Sequence, residues 1–330
     1  MNGRRSTIRA VVALLAFALV LTACGGKREG ASNTAGEGGS ITFGSGVTTG
    51  VFYQLGGSMA QLISRDLPGY RATASETGGS GQNIQGLVQG NFDIGFSAGD
   101  TAADAVAGRG TFEGPQPVRA LAQLHPGYVQ ILARTEAGIN SIADMRGKRI
   151  AVGAPNSASE TIAQRVLQAA GVDPAKDISA QRQGLTEAVE GMKDGTIDAL
   201  FWGGGIPSGG VTDLTTSLRD GVHFVDATAL IDKLRAEHGE VYSKGTLPAA
   251  AYNLPHDEPI IVVPNYLMVH QDFDPELARK IVRLIFEKKG ELENATPAAQ
   301  DIRLETASVT GPVPLHPGAA AAFEELRNGR

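Results

Sequence analysis

The chain is poor in the groups that most chemistry needs. It holds one cysteine, Cys24, in 330 residues. That excludes an internal disulfide and a thiolate-held metal site. The six histidines, at 125, 223, 238, 256, 270 and 316, include no i, i+4 pair of the kind that grips a metal from one helix face. Basic residues are outnumbered, 29 Lys and Arg against 35 Asp and Glu, for a net charge of −6. With aromatics at 5% and none interleaved with a basic run, nucleic acid is excluded as a partner. No Gly-x-Ser-x-Gly elbow appears, and no histidine or glutamate is spaced to serve a serine. Residues 44–50 half-match a dinucleotide fingerprint, but the last glycine comes one residue late, and no lysine is placed for a P-loop. The neighbouring acids Asp257 and Glu258 fall in an apparent loop. The sequence therefore reads as a non-enzyme with no cofactor and no metal. Its longest apolar run, residues 11–21, is too short for a membrane span of about 20 residues.

What is present is a foldable chain, 42% apolar and 19% charged, long enough for two domains. It opens with Arg4, Arg5 and Arg9 ahead of the apolar run, the layout of a signal peptide over residues 1–23. The run ends Leu21-Thr22-Ala23-Cys24-Gly25, which resembles the lipobox of bacterial lipoproteins. The resemblance implies that Cys24 is lipidated and that the mature chain is tethered to the membrane through a flexible segment, 24–40. Loss of the leader removes three arginines and no acid, which takes the net charge to −9.

From residue 41 onward, apolar strand-like runs alternate with helical periodicity, which predicts an α/β fold with largely parallel strands. Five strand-to-helix turns are rich in Gly, Ser and Thr: 44–50, 77–83, 97–100, 153–159 and 203–208. Small residues admit close backbone approach, and helix starts offer N–H groups and the positive end of a dipole. None of the five contains Lys or Arg, so an anion would be held by amides and hydroxyls. Strand-like runs at 119–124 and 128–133 precede a second lobe, and 260–269 returns to the first. The expected division is lobe one over 41–133, lobe two over 134–263, and a return segment over 264–330. Two crossings then place the turns around an interlobe cleft. The candidate ligand contacts are Ser45, Thr48, Thr49, Gly50, Tyr53, Ser80, Asn83, Asn156, Ser157, Ser159, Trp202 and Gly203. Residues 239–259 read as an irregular loop.

The opening Gly44-Ser45-Gly46-Val47-Thr48-Thr49-Gly50-Val51-Phe52-Tyr53-Gln54-Leu55-Gly56 resembles that of the TAXI family, the solute receptors of TRAP transporters. The likeness extends to Glu76-Thr77-Gly78-Gly79-Ser80 with Asn83, to Asp144-Met145-Arg146-Gly147-Lys148-Arg149, to Gly195-Thr196-Ile197-Asp198-Ala199, and to Pro314-Leu315-His316-Pro317-Gly318. It implies a two-lobed periplasmic-binding-protein-like (type II) fold. The implied protein is an extracytoplasmic receptor that closes on a small organic acid or amino acid, such as glutamate, glutamine or a dicarboxylate, and presents it to a TRAP-type permease. The alternatives are a ligand sensor feeding a membrane histidine kinase and a secreted enzyme.

Overall fold

The computed structural model describes residues 38–329. The expected signal peptide, the lipidation at Cys24 and the tether up to residue 37 lie outside the described residues. Ten strands form the sheet: β1 Gly39–Gly44, β2 Tyr70–Ser75, β3 Ile94–Ala98, β4 Val118–Arg134, β5 Arg149–Ala151, β6 Ser179–Gln181, β7 Ala199–Gly204, β8 Val222–Phe224, β9 Ser243–Leu247 and β10 Glu258–His270. The first seven helices are α1 Val51–Asp66, α2 Ser80–Val88, α3 Gly99–Ala107, α4 Ala158–Ala169, α5 Leu185–Lys193, α6 Gly209–Leu218 and α7 Ile231–His238. The C-terminal segment adds α8 Pro275–Glu287, α9 Lys289–Ala295, α10 Leu304–Ala307 and α11 Pro317–Arg327.

Strand order is β2-β1-β3-β10-β4-β7-β5-β6, with β8 on β4 and β9 on β10. The flanks are parallel, β1 with β2 and β3, and β5 with β6 and β7. Parallel neighbours need crossover helices, and the alternating apolar patterns of α1, α2, α4 and α5 supply them. The centre is antiparallel throughout, a correction to the largely parallel sheet expected. The runs at 119–124 and 128–133 are likewise one strand, β4, which passes through Pro126-Gly127 without ending. Pro126 is tolerated because it stands opposite Pro264 of β10, next to a shift in register between Pro264 and Tyr266. A missing N–H at an irregular position removes little from the ladder. The expected loop at 239–259 contains β9, which pairs with β10 from Glu258 to Val262.

Local signals explain the helices. In α1, Val51, Leu55, Met59, Leu62 and Ile63 are buried on one stripe. In α8, Asp274 accepts from the Leu277 amide, and Pro275 occupies the first turn. Both helices pack into a core with Phe43, Leu267, Ile281 and Phe323. On the other side of the sheet's crossing, Ile131, Val152, Ile162, Phe201 and Val263 form a second core, and Leu132, Leu185, Val211 and Leu247 a third. β4 gives Leu121 and Leu124 to the first core and Ile131 to the second; β10 gives Leu267 to the first and Val263 to the second. The molecule thus has two halves joined by two long strands. Among the described residues no helix is long and apolar enough to cross a membrane.

Candidate functional site

Four of the five glycine-rich turns meet at one narrow slot between the halves. Its cavity, about 40 Å³, is lined by Gly46 and Gly50 of the first turn, by Phe52 at the start of α1 and by Gly78, Gly79 and Ser80 of the second turn. The facing half contributes Ser157 to Ser159 and Trp202 to Gly205. Among the described residues no charged side chain lines it.

The turns are shaped by backbone approach. A Cβ on Gly205 would come 2.7 Å from Val51 Cγ2, and one on Gly81 would come 2.6 Å from the Asn156 carbonyl oxygen. Glycine is what lets the halves close this far. Two backbone hydrogen bonds cross the gap, Gly81 N–H to Asn156 O at 3.0 Å and Gly209 N–H to Thr49 O at 3.4 Å. Neither α1 nor α2 has a side-chain cap hydrogen bond, so no capping side chain takes the N–H groups of their first turns.

Three serines supply the hydroxyls. Ser80 Oγ accepts from the Ala98 amide at 2.9 Å, Ser157 Oγ from Glu160 at 3.1 Å, and Ser159 Oγ from Gly203 at 3.0 Å. All three are buried. Each oxygen is oriented by an incoming N–H, and none of the three hydroxyl protons is donated to an acceptor among the described residues. An oriented O–H with no acceptor is a donor available to a negatively charged oxygen.

Trp202 forms one wall and is itself held. Its Nε1–H donates to Ser208 Oγ at 2.9 Å, and that hydroxyl donates to the Gly205 carbonyl at 2.7 Å. The Ser208 amide donates to Tyr252 Oη at 2.9 Å, which in turn donates to Gln130 Oε1 at 2.7 Å. Burial pushes the Tyr252 phenol up to about 12, so it stays protonated as the relay requires. Nothing in the local sequence around Tyr252 or Gln130 signals this support.

Gly50, Ser80, Ser157, Ser159, Trp202 and Gly203 are therefore together at the slot. The other expected contacts stand elsewhere. Thr48 is exposed on the turn, and Thr49 meets the other half through its carbonyl. Ser45 is fully buried against α1, where a Cβ on Gly56 would come 2.4 Å from its Oγ. Tyr53 lines an outer groove with Gly57, Gln61 and Arg65. The Asn156 amide donates to Glu160 Oε2 at 2.7 Å, and its carbonyl takes the bond from Gly81. Asn83 is a brace. Its Nδ2 donates to the carbonyls of Ser45 at 2.6 Å and Phe96 at 2.8 Å, while Oδ1 accepts from Thr77 Oγ1 at 2.7 Å. One buried amide thus ties the first two turns to the end of β3.

Behind the slot, His125 is fully buried, with Cε1 3.0 Å from where a Gly205 Cβ would stand. Its Nδ1 lies 2.9 Å from the Pro126 carbonyl, which makes Nδ1 the donor and leaves Nε2 without a partner among the described residues. Burial holds this imidazole below its ordinary pKa.

The chain matches the model of the NMT1-like family over residues 43–326. It belongs to the NMT1-like family. Solved structures show the fold of this NMT1-like chain independently. The binding-protein component of an ABC phosphonate transporter from Pseudomonas aeruginosa is 16% identical, with a TM-score of 0.53 over 80% of each chain. PhnD1 from Prochlorococcus marinus, solved with methylphosphonate, is 11% identical, with a TM-score of 0.52 over 80% of this chain and 91% of that one. A Bordetella bronchiseptica protein is 19% identical, with a TM-score of 0.53 over 88% of this chain and 81% of that one. The fold is the two-lobed α/β periplasmic-binding-protein fold, with its mixed sheet and two connecting strands.

Proposed function

We propose that the chain is an extracytoplasmic solute receptor whose two lobes close on a small oxyanion, a carboxylate first of all, and hand it to a membrane permease. One observation carries this reading: four turns from both halves converge on a slot that, among the described residues, is lined by no charged side chain and offers backbone amides and three serine hydroxyls with undonated protons. Hydrogen bonds to a charged group are worth about 1.5–3 kcal/mol each, and a helix start adds about 0.3–1 kcal/mol. A few such contacts support micromolar binding, about −8 kcal/mol, after immobilisation of the solute. Neutral donors also suit a protein whose overall charge repels anions.

The TAXI resemblance of residues 44–56 favours glutamate, glutamine or a dicarboxylate as solute and a TRAP-type permease as partner. A tetrahedral phosphonate is the second reading, favoured by the methylphosphonate complex of PhnD1. Calorimetry with glutamate, glutamine, succinate and methylphosphonate, on the native chain and on Ser159→Ala, decides between them. If no solute binds, or if Ser159→Ala weakens the one that does by less than threefold, the reading fails. Anchoring through a lipid on Cys24 completes the proposal, and Cys24→Ser then leaves the protein unprocessed or released from membranes.

A further inference from the structure

Four buried side chains stand outside the lining of the slot. Asp100 and Asp104 stand one turn apart on α3, which follows β3 in the first half. Arg165 on α4 and Tyr242, just ahead of β9, belong to the second. Arg165 Nη1 donates to Tyr242 Oη at 2.9 Å and lies 3.4 Å from Asp100 Oδ2, while Nη2 donates to Asp104. Tyr242 Oη donates to Asp100 Oδ2 at 2.9 Å. None of the four is more than 7% exposed. The helix that bears the acids has two apolar faces: Ala102 and Ala105 pack with Ile84 and Leu87, whereas Ala103 packs with Ile131 and Ile162. The α3–α4 seam is therefore an interface between the halves. Two carboxylates share one guanidinium there, with Arg109 Nε 3.7 Å from Asp104 and the His238 imidazole, held below its ordinary pKa by burial, at the rim of the cluster. Remove Arg165 and two buried like charges face one another, which costs far more than an exposed pair gains.

The same α4 carries Ser157 and Ser159 to the slot at its N-terminal end. Arg165 lies six residues beyond Ser159, about 9 Å along the helix axis. A displacement of the seam thus moves two of the three slot hydroxyls as one body. We propose that Arg165, Asp100, Asp104 and Tyr242 form an ionic latch that holds the halves together along α3 and α4 and biases the slot toward its closed state. The proposal rests on the reading of the slot as a cleft that opens and closes. It differs from a fixed structural role in one respect: weakening the cluster opens the slot while the fold persists.

Trp202, the single tryptophan of the chain, reports on the slot wall without labels. It lies 3.6 Å from the position of a Cβ on Gly50 in the opposite half. Three variants are compared with the native chain by acrylamide quenching of Trp202 and by far-UV circular dichroism: Arg165→Met, Arg165→Lys, and the neutral triple variant Asp100→Asn/Asp104→Asn/Arg165→Met. The expected result is native dichroism with quenching constants raised about twofold in the Met-bearing variants, because the open population gains. Arg165→Lys, whose single ammonium cannot span both carboxylates, falls between. A folded triple variant with native quenching overturns the latch. If both Met-bearing variants fail to fold, Arg165→Lys decides, and a native quenching constant there overturns it. Adding millimolar glutamate, succinate or methylphosphonate to the native chain tests the slot separately. A solute that lowers native quenching while all folded latch variants match the native protein sinks the latch and keeps the slot. Raised quenching in the variants, with no response to any solute, supports the latch and counts against the slot reading.

Discussion

Pro126 of β4 and Pro264 of β10 face one another across the antiparallel pair that joins the two halves. Neither residue has an N–H to donate, and the register shifts between Pro264 and Tyr266. His125, Gly127 and Asn265 crowd the same point, where a Cβ on Gly127 would come 2.8 Å from Asn265 Nδ2. A ladder that is thinned in both strands at one level is a natural pivot, since fewer bonds resist bending there.

The pivot leads to a measurable expectation. Amide hydrogen exchange at Gly127 and Asn265 should run about tenfold or more faster than at Ile131 and Leu267, because local opening needs fewer bonds broken. Ile131 and Leu267 sit on the same strands, within the cores of the two halves. Equal protection along β4 and β10 would falsify the pivot.

Asn83 makes the sharpest stability prediction. Asn83→Ala strands the carbonyls of Ser45 and Phe96 and the hydroxyl of Thr77 inside the protein. Buried unsatisfied groups cost about 1–3 kcal/mol each, so the variant should lose about 3 kcal/mol in urea unfolding. Asn83→Asp should be no better, because its carboxylate meets two carbonyl oxygens in place of an amide donor. A loss under about 1 kcal/mol in either variant would mean the turns hold themselves.

These residues also show how far the chain could be read before its structure was known. Glycine and serine after a β-branched run mark a strand-to-helix turn by local chemistry, so four slot turns were legible. The continuity of β4 was not, because Pro126-Gly127 carries a local breaker signal between the runs at 119–124 and 128–133 that only pairing with β10, more than a hundred residues later, overrides. Side-chain direction was equally hidden. Tyr53 and Val51 are two residues apart on α1, yet one turns outward and the other meets Gly205. Asn83 and Ser80 share a helix start, but the amide is consumed by three backbone and side-chain partners and the hydroxyl is not. Arg165 gave no signal at all, since its acidic partners lie 61 and 65 residues away.

Ser157 allows capping and binding to be separated. Its oxygen caps α4 through the Glu160 amide, while its proton is donated to no acceptor among the described residues. Ser157→Ala should lose about 1 kcal/mol of stability as a missing cap and about tenfold in affinity for an oxyanion. Ser157→Asp should retain the cap, since Asp is as good as Ser there, but place a negative charge in the slot. Melting temperature and calorimetry read the two effects apart. An Asp variant that binds the solute as tightly as the native chain rules out an anion.

Acid should destabilise the protein through its buried imidazoles. Burial lowers the folded-state pKa of His125, and that of His316, whose Nδ1 accepts from the Gly318 amide at the start of α11. Both are needed neutral. With an unfolded pKa of about 6.5, the unfolded chain binds the extra protons first as pH falls. Their contribution is therefore intact above about pH 6.5 and is lost progressively below it. Thermal unfolding at pH 7.5, 6 and 5 should show a falling melting temperature, with a smaller fall in His125→Phe. A melting temperature that rises on acidification in this range contradicts the assignment.

Trp202 should set the length of solute the slot accepts. The ring is fixed by the Ser208, Tyr252 and Gln130 relay and closes one side of a cavity of about 40 Å³. A wall anchored this firmly does not move aside for a longer chain. Trp202→Ala removes it and opens space on the order of 100 Å³, enough for several methylene groups. The half-buried ring should cost less to delete than the 3–5 kcal/mol of a fully buried one, about 2 kcal/mol. Acetate, succinate and adipate, titrated by calorimetry, form a length series with one chemistry. In Trp202→Ala the preference should move toward adipate by about tenfold relative to the native chain, the equivalent of burying one or two more methylenes. Trp202→Phe, which keeps a ring and loses the indole anchor, should shift it less. If the order of the three acids is the same in all three proteins, the ring packs beside the solute without measuring it.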